Sequence, residues 1–155
     1  MAIHKDFPKS PHEILDPGVR WFPADESLRD TSYEKLMPPL VPELRKAVEK
    51  WRVDGYPAIS NTSKTLLNHW FNTPHPIIHA DGTTSNFQYY FAQREAVETI
   101  IYLHEAVKVA DKYDLLRFSK SDAVSAQLFE ETWRRYVVKM ATGSGKTKTM
   151  SLILA

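Results

Sequence analysis

The sequence predicts an α/β protein in which a mostly helical N-terminal region precedes a strand, a glycine-rich loop and a further helix. Three observations carry this expectation. Leu44, Ala47, Val48 and Trp51, and then Leu66, Leu67, Trp70 and Phe71, recur at helical spacing. "ETWRRYVVKM" is a β-branched and aromatic run of the kind that forms a strand. It leads directly into "ATGSGKT" and then the apolar "KTMSLILA". We place the organisational boundary between residues 1–85, an arm and helical region, and residues 86–155, the beginning of a second unit.

Seven of the ten prolines lie before residue 43, and they cut residues 1–35 into short turn-rich pieces. Within them Ser10-Pro11-His12-Glu13 has the order of a helix start, with a Ser cap, Pro at the first position and Glu at the third. The first full helix is expected to open at Pro42 in "VPELRKAVEKW" and to close near Gly55. "NTSKTLLNHWFN" gives the second, stopped by Thr73-Pro74. After the turn signal "HADGTTSN", the stretch "FQYYFAQREAVETIIYLHEAVKVADKYDLL" is expected to form the longest helix, with Ala96, Ile100, Leu103, Val107 and Ala110 on one face. Residues 119–127 are expected to be a polar loop.

Composition narrows the function classes. The chain has 155 residues, enough for one domain or a small domain joined to the start of another. Twenty basic against nineteen acidic side chains leave a formal net charge of +1, so no overall field draws the protein to nucleic acid or anionic lipid. Cysteine is absent, which excludes disulfides and thiolate metal sites and suits a reducing compartment. No secretory h-region and no apolar run of about 20 residues is present. A cytoplasmic protein without a membrane partner is the expectation.

The loop is the part that carries chemistry. Strand, "ATGSGKT" and helix follow one another in the order of a phosphate-binding loop. Gly143 and Gly145 are where a side chain would block the backbone from wrapping phosphate oxygens and would resist positive φ. Around them Thr142, Ser144, Lys146 and Thr147 complete the candidate nucleotide site, its amides aided by the positive end of the following helix dipole. Lys146 is expected to meet the β and γ phosphates, and the Thr147 hydroxyl to ligate Mg²⁺. The strict pattern wants glycine at position 140, which is Met140 here. For "GKT" by itself the alternative is a polar turn with a solvated lysine; its placement between strand and apolar helix favours the phosphate loop.

"MATGSGKT" resembles motif I of superfamily 2 helicases and translocases, many of which lack that first glycine. "FQYYFAQREAVETIIYL" resembles the Q-motif region upstream of motif I, with Gln93 at the glutamine position. Together with "PPLVPELRKAVEKWR", "GYP" and "LLNHWF", the chain from about residue 39 to 155 is similar to the opening of DEAD/DEAH-like proteins of the type III restriction Res-subunit kind. The resemblance implies a P-loop NTPase (RecA-like) lobe, ATP and Mg²⁺ as cofactors, and Gln93 reading adenine through its amide. It implies double-stranded DNA as the partner of the whole protein, through parts beyond this stretch, with a modification or methyltransferase subunit as a second partner. Where many relatives have arginine three residues before the glutamine, this chain has Tyr90, and "DKYDLLRFSKSDAVSAQLFEE" lengthens the interval to motif I.

Hydrolysis by such enzymes uses a later acidic motif and an arginine finger. Neither is in this sequence, so we assign no catalytic residue and expect the chain to be the N-terminal piece of a larger protein, truncated after the first strand, loop and helix. The isolated chain is expected to release no phosphate from ATP above background in a coupled assay; turnover abolished by Lys146→Ala would contradict this. Two other readings stay open: a P-loop protein of another class, and a docking or specificity fragment with a vestigial loop. His69, His75 and His79 straddle two prolines and are not assigned a metal. Asp111 and Asp114, and Glu130 and Glu131, read as solvated carboxylates. "WRRYVVK" resembles a nucleic-acid stacking strip, but Trp133 and Tyr136 are assigned to a buried sheet.

Overall fold

Helix α1 (Val41–Val53) begins where Pro42 presets the first turn, with Glu43 near its start and Lys50 and Arg52 near its end, each sign complementing the helix dipole. The computed structural model describes residues 10–14, 40–119, 134 and 136–155. Val48 and Trp51 form the buried face of α1, and the chain leaves it through Gly55 at φ 78°. Helix α2 (Asn61–Asn72) is capped by Ser60, whose hydroxyl accepts from the Ser63 amide at 3.1 Å. It stops at Thr73, extended ahead of Pro74. Both helices occupy the segments that the apolar spacing predicts.

The "HADGTTSN" turn closes a two-stranded antiparallel hairpin, β1 (His75–Ile78) and β2 (Thr84–Phe87), with His75 opposite Phe87 and Ile78 opposite Thr84. Asp81 accepts both the amide and the hydroxyl of Thr83, which holds its carboxyl below the usual range, and Gly82 supplies φ 80°.

Helix α3 (Phe91–Ile101) is shorter than the expected long helix. It widens into a π-helical turn at Tyr102–Ala106, and Lys108 then takes φ 57°. Tertiary packing outweighs the continuing apolar period. The Val109 amide folds back to the Leu103 carbonyl at 2.9 Å, and Leu103, Val109 and Phe118 pack together beside Leu40, Leu44 and Ala47. A 3₁₀ helix (Tyr113–Phe118) follows, its entry fixed by the Asp114 carboxylate accepting from the Ala110 amide at 2.7 Å.

The strand expected to end at Met140 is not formed: Arg134 and residues 136–140 are irregular. A β-prone run becomes a strand only when a neighbour completes its ladder, and no described segment pairs with this one. Tyr136 instead joins the Leu103 cluster. Helix α4 (Lys146–Leu154) follows the loop and packs on α3. The main core joins Trp51, Tyr56, Leu67, Val97 and Leu152, and so draws on both sides of the division at residues 85 and 86. Ser10-Pro11-His12-Glu13 makes one turn, with the Glu13 amide on the Ser10 carbonyl at 3.2 Å. The rest of the arm, most of the 119–127 loop, Trp133 and the Glu130–Glu131 pair lie outside the described residues. Among the described residues, no helix is long and apolar enough to cross a membrane.

Candidate functional site

The loop turns twice through left-handed backbone, at Gly143 (φ 79°) and at Gly145 (φ 77°), the cap of α4. The two positions differ. A Cβ at Gly143 would meet nothing within 4 Å, whereas one at Gly145 would lie 2.2 Å from the Gln93 side-chain nitrogen. The first helical hydrogen bond of α4 runs from the Thr149 amide to the Gly145 carbonyl at 3.0 Å, so the amides of Lys146, Thr147 and Lys148 precede it and remain donors. With the dipole of a nine-residue helix behind them, they form an anion-attracting end.

The side chains shape the same loop. Ser144 donates its hydroxyl to the Ala141 carbonyl at 2.6 Å, tightening the turn. The exposed Lys146 ammonium folds over the loop, 3.1 Å from the Ala141 carbonyl and 3.5 Å from that of Met140. Thr142 and Thr147 are exposed. These features would suit a phosphate, and the exposed Thr147 hydroxyl would be the residue to hold magnesium beside it. Among the described residues, no group of three or more His, Asp or Glu could hold a metal.

Gln93 lies 52 residues before Gly145 in sequence and touches it, its side-chain nitrogen donating to the Gly145 carbonyl at 3.4 Å. Its carbonyl accepts from the Tyr90 amide at 2.9 Å, closing the first turn of α3, and the side chain is buried. The Gly145 carbonyl therefore receives three donors: Gln93, the Thr149 amide and, at 3.3 Å, the Thr149 hydroxyl. Residues near Ser10 brace the same turn. The Phe91 amide donates to the Pro11 carbonyl at 2.8 Å, and His12 donates to the Tyr89 carbonyl at 3.1 Å.

One turn further along α3 lies a charge cluster that sequence reasoning missed. Glu98 is fully buried. It accepts from Arg52 of α1 at 2.8 Å, from Arg94 at 2.8 Å and from the Tyr56 hydroxyl at 2.6 Å. Arg94 also donates to Tyr56 at 2.9 Å and to Asn72 of α2 at 3.2 Å. Burial, and next the adjacent Glu98 carboxylate, push the Tyr56 hydroxyl well above the ordinary tyrosine range. The four-residue spacing of Arg94 and Glu98 was the available signal; Arg52 and Tyr56 reach the carboxylate only through the fold.

The other candidates are dispersed. The His69 and His75 rings meet edge to face at 4.9 Å, with His75 donating to the His69 carbonyl, while His79 is hydrogen-bonded to the Ser85 hydroxyl. Arg134 is exposed and lies 3.2 Å from a His104 ring nitrogen. Comparison with protein-family profiles, with curated proteins and with solved structures gives no match to this chain.

Proposed function

We propose that this chain is the ATP-binding N-terminal part of an ATP-dependent DNA helicase or translocase of superfamily 2, of the type III restriction Res-subunit kind. The observation that supports this most is the contact between Gln93 and Gly145, which joins the Q-motif-like segment to the motif I-like loop across 52 residues of sequence. In this reading the loop amides and Lys146 receive the ATP phosphates and Thr147 holds Mg²⁺. Gln93 lies at the adenine end. The whole protein would act on double-stranded DNA in the cytoplasm, with a methyltransferase subunit as partner.

The test is thermal unfolding with and without Mg-ATP. At a hundredfold excess over Kd, ligand binding adds about 2.7 kcal/mol, which raises Tm by roughly 5–10 °C for a chain of this size. Lys146→Ala is expected to abolish the rise without lowering the ligand-free Tm. No rise in the wild-type chain, or an equal rise in the variant, would overturn the proposal.

A P-loop protein of another class is the second reading. On its side is the hydrogen bonding of Gln93, whose carbonyl and nitrogen are both engaged within the chain. Stabilisation by Mg-GTP equal to that by Mg-ATP would favour it.

A further inference from the structure

The hairpin and α2 share an aromatic wall that the loop does not use. Trp70, Phe87 and Tyr89 line two adjoining clefts, one of about 350 Å³ and one of about 560 Å³. Phe87 meets Tyr89 edge to face at 4.8 Å, and Tyr89 meets Phe71 in the same manner at 5.5 Å. Phe87 is 41% exposed on a hairpin that has little other cover. None of residues 142–147 lines either cleft.

The polar groups around this wall are of two kinds. Asn86 and Gln88 flank Phe87 in the smaller cleft, both exposed, and their amides bond to no described residue. His12 and Arg94 stand in that cleft, and His69, His75 and Lys148 in the larger one. Among the described residues, no aspartate or glutamate lines either. Flat apolar rings with unbonded amides beside them suit a planar heteroaromatic ring that has donors and acceptors on its edge. Arg94 is committed to Glu98, which leaves the Lys148 ammonium, with imidazole nitrogens beside it, to suit an anion. A nucleotide combines both properties, and two clefts on either side of one wall suit consecutive units of a strand better than a single free nucleotide.

We propose that the Trp70–Phe87–Tyr89 wall is a stacking site for single-stranded nucleic acid, with Asn86 and Gln88 at the base edge and Lys148 and the histidines near the phosphodiester. The site goes beyond the ATP reading and stands independently of it.

Fluorescence anisotropy of the full chain with a labelled oligodeoxythymidylate, and with an abasic strand of equal length, tests the site. The base-bearing strand is expected to bind about tenfold tighter than the abasic one, and Phe87→Ala to remove about that factor. Gln88→Ala, an exposed change outside every hydrogen bond described, is expected to weaken binding a few-fold with its Tm unchanged. Mg-ATP stabilisation, measured in parallel, should persist in both variants. Equal binding of the two strands, no binding of either, or undiminished strand binding by both variants would overturn the proposal. So would loss of Mg-ATP stabilisation in Phe87→Ala with strand binding intact, because the wall would then belong to the loop's nucleotide.

Discussion

Glu98→Ala is expected to destabilise the chain by about 3–5 kcal/mol, the range for removing one partner of a buried ion pair. The carboxylate is fully buried, and its loss strands two guanidinium groups whose side chains are only 9% and 13% exposed. Tyr56, itself buried, loses its acceptor as well. Glu98→Gln keeps the shape and one acceptor oxygen and is expected to fall between the wild type and alanine. Urea unfolding of the three proteins measures the series. A loss below about 1 kcal/mol for alanine would mean that water or rearranged side chains replace the carboxylate, and that it does not organise the α1–α3 contact.

Gly145→Ala is the second large effect, and it separates two causes. Holding an alanine at positive φ costs roughly 1–2 kcal/mol, and Gly143→Ala, with open space around its Cβ, should show that cost alone. At Gly145 the new methyl also collides with Gln93 at 2.2 Å. We expect a loss about 0.5–3 kcal/mol beyond that of Gly143→Ala, the range of coupling between residues in contact. Adding Gln93→Ala to Gly145→Ala should return that excess. Additive single-mutant effects in the cycle would show that the collision is relieved elsewhere and that Gln93 does not lean on the loop.

Local pattern made the two N-terminal helices legible because their apolar faces also form the buried faces: Val48 and Trp51 in α1, Leu67 in α2. The loop glycines were legible for a different reason, since positive φ is a requirement of backbone shape that residue type reveals directly. The hairpin was read only as a turn. Asp81-Gly82 marked its bend, but Pro76 and exposed strands without alternation concealed the pairing. In α3 the reverse occurred. The apolar period runs on unbroken by Gly or Pro, yet the backbone turns at Lys108 because Leu103 and Val109 meet Phe118. The run before Met140 has β propensity without a ladder, and propensity by itself makes no hydrogen bonds. Resemblance singled out Gln93 but not its contact with Gly145, and of the Glu98 cluster only the four-residue spacing of Arg94 and Glu98 was local, since Arg52 and Tyr56 come from distant segments.

The Gly145 carbonyl, with three donors converging on it, belongs to the same peptide group as the Lys146 amide. Electron density drawn toward an oxygen so loaded leaves the N–H at the other end of that resonance-coupled unit more electropositive. Gln93 thus acts on the Lys146 N–H without touching it, through the peptide group that the two ends share.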